Sequence, residues 1–411
     1  DLKKLSGKNY FLYFGAINYL AEIYLNGELI GKHKGGFTPF NFDITGKIKN
    51  GENLLVISAD NTITDDDIPT SSTDWLNYGG ITREVKLVSL PGKYIENYQI
   101  QLASDKGDEI IGFVKVAGKA TGGYVSLDIP ELNISEKISV NANLATVKIP
   151  AEPDRWSPAS PKLYTVKLGY GKDQVEDKIG FRSIAVRDQE LLLNDEPVFL
   201  KGISIHEEAL GVKGRATDLQ DAIDLLDLAK ELNCNFVRLA HYTHNEYMVR
   251  VADSLGLLVW SEIPVYWNIK FEDEVVLKMA KTRIAEMIYR DHNRACVVFW
   301  SLGNETPKGE ARNVFFRKMN DHVKEKDPTR LTTAALLFGS EEIQKVMKNY
   351  YIPSLMGKSF GTWDIELDDT LASIVDVAAV NQYFGWYYSA FVSSMMPVSA
   401  KKAREVMIAN I

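Results

Sequence analysis

Cysteine and histidine are scarce in this sequence. The chain of 411 residues contains two cysteines, Cys234 and Cys296, and six histidines. Both cysteines lie in apolar segments, which predicts buried free thiols and excludes a disulfide framework. The histidines show no ligand spacing along a helix and have no neighbouring cysteine. The sequence therefore predicts neither a metal nor a cofactor.

The sequence also lacks long hydrophobic runs and an excess of basic residues. No apolar run approaches the roughly 20 residues that span a bilayer, so a membrane partner is not expected. The net charge is −8 and both signs are mixed along the chain, which argues against a nucleic-acid partner. No signal peptide is visible, and the sequence does not distinguish a cytoplasmic from a periplasmic or secreted location.

Short strand-like runs fill the first half of the chain. In residues 1–92 they are separated by turns such as Asn26-Gly27 and Asn50-Gly51, which favours a sandwich or a jelly roll. Only four or five strands are visible there, so some N-terminal strands are expected to lie outside the chain. Residues 93–186 contain about seven short alternating runs, as in an immunoglobulin-like β-sandwich.

Strands alternate with helices in residues 187–411, which predicts a parallel sheet of the (β/α)8 TIM-barrel type. Six strands are visible and a closed barrel has eight, so the barrel is expected to be incomplete within this chain. An open doubly wound sheet is the alternative. It would require a reversal of strand order, and the glycine-rich turn typical of its nucleotide sites is absent.

Polar and aromatic residues follow the predicted barrel strands. Because parallel strands deliver their carboxyl ends to one rim, these residues are expected to form one carbohydrate-type site. They are His206, Glu207 and Glu208, then His241, Tyr242 and His244, then Glu262, then Asn304 and Glu305, and finally Asn381, Gln382, Tyr383 and Trp386. The earlier loop residues Asp74, Trp75, Asn77 and Tyr78 either touch a ligand or pack between domains, and packing is the favoured interpretation.

Several motifs resemble glycoside hydrolase family 2, the β-glucuronidase and β-galactosidase group. The most specific is Trp300-Ser301-Leu302-Gly303-Asn304-Glu305, and Tyr78-Gly79-Gly80-Ile81-Thr82-Arg83 and Arg238 with His241-Tyr242 accompany it. The resemblance covers nearly the whole chain, and it implies that residues 1–92 form a jelly roll of the sugar-binding type. It implies a retaining exo-β-glycosidase that acts on a β-linked carbohydrate, with no metal, and favours the β-glucuronidase branch over the β-galactosidase branch.

The resemblance also implies residue roles. Glu305 would be the general acid/base and Asn304 would bind the sugar 2-hydroxyl. His206, Glu207 and His241 would line the sugar subsite, Tyr383 would lie near the nucleophile, and Trp386 and Glu262 would line the site. The family's nucleophilic glutamate stands in a Glu-Phe-Gly or Glu-Tyr-Gly run after the seventh strand. No such run follows Tyr383, so the nucleophile is expected outside this chain.

Two further expectations concern the chain as a whole. A non-catalytic carbohydrate-binding relic is the alternative from another functional class. The open edges of an incomplete barrel favour association, so a homo-oligomer is among the expected arrangements.

Overall fold

Short antiparallel strands build the first region of the chain. The computed structural model describes residues 7–103, 107–118, 122–211, 214–358, 366–383, 399 and 401. The strands of the first region are Lys8–Phe14 (β1), Ile17–Asn18 (β2), Leu20–Leu25 (β3), Glu28–Lys34 (β4), Phe40–Asp43 (β5), Leu55–Asp60 (β6), Gly80–Ile81 (β7) and Val85–Pro91 (β8).

The pattern of alternating residues explains how these strands pack. β1 lies between β5 and β8, and β3 lies between β4 and β6, so apolar faces of two sheets meet in one core. Tyr10, Leu12 and Phe14 of β1 are all buried because successive residues of a strand face opposite sides. Asn26 and Gly27 join β3 to β4 with φ of 55° and 84°, the left-handed backbone that a two-residue hairpin needs.

A two-sheet β-sandwich follows, as the alternating pattern predicts. Its strands are Lys93–Leu102 (β9), Glu109–Gly118 (β10), Tyr124–Ile129 (β11), Ile134–Ser139 (β12), Leu144–Pro150 (β13), Tyr164–Tyr170 (β14) and Asp173–Ile179 (β15), with a 3-10 turn at Pro130–Leu132. The sheets have the orders β13-β10-β9 and β12-β11-β14-β15. A small sheet of Ile184–Arg187 (β16), Glu190–Leu193 (β17) and Glu196–Pro197 (β18) leads to the next region.

Six parallel strands form one curled sheet, in chain order, with helices between them. The strands are Gly202–Ile205 (β19), Phe236–Leu239 (β20), Leu258–Glu262 (β21), Val297–Asn304 (β22), Leu331–Leu337 (β23) and Val377–Asn381 (β24). The helices are Leu219–Glu231 (α1), Glu246–Leu255 (α2), Glu274–Asp291 (α3), Glu310–Lys326 (α4), Ser340–Val346 (α5), a π turn at Met347–Tyr351, Ile352–Leu355 (α6) and a 3-10 turn at Thr370–Ser373.

The unreversed strand order confirms the barrel-type sheet and contradicts the doubly wound alternative. The sequence also predicts that residues 398–411 could form a sixth helix, and this segment lies almost entirely outside the described residues. Among the described residues, no helix combines the length and the apolar character that a membrane crossing requires.

The β-sandwich docks at the end of the barrel sheet where strands begin. The turn between α3 and β22 makes the contact: Asn293 Oδ1 accepts from the amide of Ile100 at 2.9 Å, and Arg294 donates to the carbonyl of Lys178 at 2.8 Å. Arg294 also pairs with the buried Asp177. These bonds lie on the side of the sheet opposite to the strand ends that carry the polar residues.

The first region docks at the other end of the sheet through a buried ion cluster. The Arg83 guanidinium donates to Glu207 Oε2 at 3.0 Å, to the carbonyl of Thr243 at 2.7 Å and to that of Phe37 at 2.7 Å. Arg215 donates to the same Glu207 oxygen at 3.0 Å. The Glu207 side chain is 0% exposed. Burial opposes its charged form, but the adjacent Arg83 and Arg215 outweigh that effect and lower the pKa of Glu207.

We expect Arg83→Met to lower the free energy of unfolding by about 3–5 kcal/mol, because it leaves Glu207 buried beside a single remaining arginine. Urea denaturation followed by tryptophan fluorescence measures the effect. Arg155→Met is the matched control, because the Arg155–Asp195 pair is exposed and contributes about 0–1 kcal/mol. Equal losses in the two variants would contradict a docking role for Arg83.

Candidate active site

The polar residues predicted at the strand ends converge at one end of the parallel sheet. Each follows or closes its own strand, so the spacing between neighbouring strands sets the spacing between side chains. They are His206 after β19, His241 after β20, Glu262 at the end of β21, Asn304 and Glu305 at the end of β22, and Asn381 with Tyr383 at and after β24. Trp386 lies outside the described residues.

Glu305 is held in an unusual backbone conformation. Its φ is +50°, a region that non-glycine residues seldom adopt, and its amide donates to the carbonyl of Ala335 at 2.8 Å. The carboxylate accepts from Trp267 Nε1 at 3.1 Å and from the Tyr383 hydroxyl at 2.5 Å. The residue is 7% exposed. Two neutral donors from separate segments therefore fix the carboxylate at the edge of the cleft.

The amide of Asn304 has a defined orientation. Its Oδ1 accepts from Arg238 Nη2 at 2.6 Å and from Asn381 Nδ2 at 3.0 Å. Both partners are donors, so the oxygen must face them and the NH2 group must face the other way. Nδ2 is buried and has no hydrogen-bond partner among the described residues. Asn304 can therefore donate to a hydroxyl or carbonyl group that enters the cleft.

The Glu262 carboxylate accepts hydrogen bonds from three neighbouring side chains. It accepts from Arg238 Nη2 at 3.2 Å, from His241 Nδ1 at 2.8 Å and from Trp260 Nε1 at 2.7 Å, and is 1% exposed. Burial raises its pKa, but Arg238, His241 and Trp260 together outweigh burial and bring the pKa of Glu262 down to about 2. An ionised carboxylate only accepts, so the His241 ring donates to Glu262 through Nδ1.

His206 stands beside His241 with ring centroids 5.4 Å apart. Burial and the neighbouring His241 lower the pKa of His206, so this ring is neutral near pH 7. Its Nδ1 is buried without a partner among the described residues. His206 and His241 together present nitrogen atoms that can bind a ligand group.

Glu207 is not brought into this cleft. Although it directly follows His206 in the chain, its side chain points into the buried cluster with Arg83 and Arg215. The physical reason is charge: two buried guanidinium groups need a counter-charge, and Glu207 supplies it.

A loop of the first region completes the cleft. The Trp75 ring contacts Tyr266 edge-on with centroids 4.9 Å apart, and lies 5.9 Å from His241 and 6.2 Å from His206. Asp74 lies beside the Tyr266 hydroxyl, and burial and this carboxylate raise the pKa of Tyr266. Packing was the favoured interpretation of Asp74 and Trp75, yet both residues stand at the cleft itself.

Sequence reasoning gave no site role to Arg238, Tyr266 or Trp267. Arg238 lies within β20, and its alternation with apolar neighbours marks a side chain inside the barrel sheet. Tyr266 and Trp267 form an aromatic pair shortly after the carboxylate that ends β21. Such a pair at a strand end is a usable signal, because indole and phenol faces bind sugar rings.

Family comparisons agree with the fold and this cleft. The description "Glycosyl hydrolases family 2, sugar binding domain" matches residues 1–91, "Glycosyl hydrolases family 2" matches residues 93–182, and "Glycosyl hydrolases family 2, TIM barrel domain" matches residues 184–389. The chain belongs to glycoside hydrolase family 2. Its barrel segment carries the cleft, and its sugar-binding segment supplies Asp74 and Trp75.

Named relatives come from both main branches of family 2. A β-galactosidase of Thermoanaerobacter pseudethanolicus is 31% identical over 382 residues, covering 87% of this chain and 50% of the relative. A β-glucuronidase of Streptococcus agalactiae is 26% identical over 426 residues, covering 92% of this chain and 65% of the relative. The chain thus spans about half to two thirds of the length of these curated relatives.

A solved family 2 structure is similar over almost the whole chain. It is a β-glucuronidase of Ruminococcus gnavus in complex with C6-substituted uronic isofagomine. The identity is 25% and the TM-score is 0.77, with 97% of this chain and 67% of the other chain covered. The three-part architecture is therefore shared.

The lowered pKa of Glu262 predicts how the free energy of unfolding depends on pH. Its pKa is about 2 in the folded state and about 4.5 as the unperturbed value, so its contribution is full above about pH 4.5 and disappears towards pH 2. We expect the difference in unfolding free energy between wild type and Glu262→Gln to shrink between pH 5 and pH 3.

Urea denaturation at both pH values measures this difference. Glu310→Gln is the matched control, since Glu310 is 77% exposed on α4, and its effect should stay within about 0.5 kcal/mol at either pH. A difference for Glu262→Gln that is constant from pH 5 to pH 3 would show that the carboxylate is not held ionised by its neighbours.

Proposed function

We propose that the full-length protein is a retaining exo-β-glycosidase that removes terminal β-linked sugars. The observation that carries this proposal is the pairing of Glu305, fixed between Trp267 and Tyr383, with the outward-facing amide of Asn304. Membership of glycoside hydrolase family 2 supports it. The division of the chain into domains of residues 1–92, 93–186 and 187–411 is part of the proposal and is supported by three hydrophobic clusters, each of which lies mainly within one of these ranges.

Glu305 is assigned as the general acid/base. In the first step its carboxylic acid gives a proton to the glycosidic oxygen as the bond to the sugar breaks. In the second step the carboxylate takes a proton from the water that attacks the glycosyl-enzyme. Trp267 and Tyr383 both donate to this carboxylate, so they hold it in one position for the two proton transfers.

Asn304, His206 and His241 are assigned to sugar binding. The Asn304 NH2 group has no partner among the described residues and suits the sugar 2-hydroxyl, a contact that strengthens in the transition state. His206 and His241 offer ring nitrogens, and Trp75 offers an apolar ring face. Arg238 acts indirectly, because it donates to the oxygen of Asn304 and thereby orients the NH2 group towards the substrate.

Glu262 is not assigned as the nucleophile. A retaining glycosidase needs two carboxylates about 5–5.5 Å apart, and the nucleophilic one must be free to attack carbon. Three donors surround Glu262, and it is 1% exposed. We infer that the nucleophile comes from a part of the protein outside the described residues, next to Tyr383.

The preferred substrate is proposed to be a β-glucuronide, with a β-galactoside as the alternative. The Ruminococcus gnavus relative binds a uronic sugar analogue, and the Streptococcus agalactiae relative carries the β-glucuronidase name. The Thermoanaerobacter pseudethanolicus relative supports the alternative.

Glu305→Gln tests the general acid. In the full-length protein we expect kcat/KM for 4-nitrophenyl glycosides, which reports the step in which the leaving group departs, to fall by about 10²–10⁴-fold. The loss should be smaller for a 2,4-dinitrophenyl glycoside, because this leaving group departs with little protonation. Steady-state kinetics on both substrates measure the effect. Glu310→Gln is the control and should retain wild-type rates, because Glu310 lies on the exposed face of α4.

An equal loss of kcat/KM on both leaving groups would contradict the assignment of Glu305 as acid. Absence of turnover by the wild-type protein would favour a carbohydrate-binding role instead.

A substrate panel tests the sugar preference. We expect kcat/KM of the full-length protein to be highest for 4-nitrophenyl β-D-glucuronide among the glucuronide, galactoside, galacturonide and mannoside. Release of nitrophenolate measures each rate. A galactoside preference would move the protein to the β-galactosidase branch and leave the assignment of Glu305 intact.

A further inference from the structure

The first turn of α4 carries a buried arginine to which the proposed hydrolysis assigns no role. Arg312 is 2% exposed, and each of its five N–H groups has an acceptor. Asn313 Oδ1 accepts two of these bonds, the Asp369 carboxylate accepts two, and the carbonyl of Thr306 accepts one at 3.3 Å. The guanidinium is therefore held in one orientation.

Helix formation does not explain an arginine at this position. Arg312 is the third residue of α4, where the unpaired amides of the helix N-terminus give a positive partial charge that disfavours cations. Arg312 instead forms a bidentate ion pair with Asp369, and the two side chains are 2% and 0% exposed. The tertiary partner, rather than the helix, therefore accounts for a buried charge here.

Arg312 joins two segments that meet at Glu305. Thr306 directly follows Glu305, so the bond from Arg312 Nη1 to the Thr306 carbonyl holds the loop that carries this carboxylate. Asp369 accepts from the same Nη1 at 3.0 Å, and it caps the 3-10 turn that leads into β24. Tyr383 follows β24 and donates to Glu305. One nitrogen atom thus connects the backbone beside Glu305 with the segment that delivers Tyr383.

The backbone at Glu305 needs such support. Its φ of +50° is unfavourable for a non-glycine residue and persists only where the surrounding structure holds it. On one side of Glu305, its own amide donates to the carbonyl of Ala335. On the other side, Arg312 holds the next carbonyl, that of Thr306. The Arg312 contact is therefore one of the constraints that keep Glu305 in this conformation.

We propose that Arg312 is a positioning residue for the general acid/base. Through Asp369 and the Thr306 carbonyl, it fixes the Glu305 carboxylate relative to the Tyr383 hydroxyl. The consequence for catalysis rests on the proposed function, because it concerns Glu305 as the acid. The link between the two backbone segments does not rest on it.

A matched ion pair at the opposite end of the sheet separates positioning from stability. Arg330 and Asp327 are 4% and 0% exposed, with Nη1 and Oδ2 3.0 Å apart, and they lie just before β23. Arg312→Met with Asp369→Asn is the Arg312 double variant, and Arg330→Met with Asp327→Asn is the Arg330 double variant. Each removes both charges of a pair, so no buried charge is left without a partner.

Leaving-group dependence measures the positioning of the acid in the full-length protein. In the Arg312 double variant we expect kcat/KM for the 4-nitrophenyl glycoside to fall by about tenfold or more, because a small displacement of a catalytic group is costly. The 2,4-dinitrophenyl glycoside should change by less than about threefold, since its departure needs little protonation. The Arg330 double variant should keep the wild-type ratio of the two values.

An equal fall of kcat/KM on both substrates in the Arg312 double variant would overturn the positioning role. The same change of ratio in the Arg330 double variant would also overturn it, because any lost ion pair would then have this effect.

Hydrogen exchange tests the backbone link without turnover. In the Arg312 double variant we expect amides of residues 303–308 and 377–383 to exchange about tenfold faster or more, because local opening becomes easier. These amides should keep wild-type rates in the Arg330 double variant. Mass spectrometry of peptides that cover the two segments measures the rates.

Unchanged exchange in both segments would overturn the link, whether or not the protein turns over a glycoside. Absence of turnover by the wild-type protein would refute the proposed function and leave the exchange rates to decide the link. Arg312→Lys is the second variant in both experiments, in case the double variant does not fold. It keeps a positive charge for Asp369 but lacks the planar fork that also reaches Thr306, so we expect the same changes in the same direction.

Discussion

The Arg238 guanidinium is a half-buried charge around which the cleft is arranged. A guanidinium cannot give up its proton at ordinary pH, so every donor must find an acceptor inside the sheet. Glu262 neutralises it, and the oxygens of Asn304 and Asn381 accept its other hydrogens. Because these acceptors come from β21, β22 and β24, one side chain ties three strand ends together and decides which way each polar group faces.

Two carboxylates thereby acquire different characters within one cleft. Glu262 is surrounded by Arg238, His241 and Trp260 and stays ionised to about pH 2. Among the described residues, Glu305 accepts from the neutral donors Trp267 and Tyr383, on a left-handed backbone that aims it at the cleft. Glu262 therefore fixes its neighbours in place, whereas the Glu305 carboxylate is held at the edge of the cleft.

The cleft is not made by the barrel sheet alone. The first region reaches it twice, through Arg83 in the buried cluster with Glu207 and through Trp75 against Tyr266. The ion cluster fixes the position of the first region on the sheet, and the aromatic contact places Asp74 beside the two histidines. A change that weakens the contacts of Arg83 should therefore also change the positions of the cleft residues.

The sequence by itself determined the six strands of the barrel sheet, the strand ends that carry polar groups, and the positions of Asn304 and Glu305 within its most specific motif. Periodicity decides such features, because a strand's C-terminal end fixes which residues reach the rim. Only the tertiary structure shows that the Glu207 side chain points away from the cleft and that Asp74 lies at the cleft. Adjacent residues point in opposite directions, and the resting place of a distant loop depends on packing and on the pairing of buried charges, neither of which has a local signal in the chain.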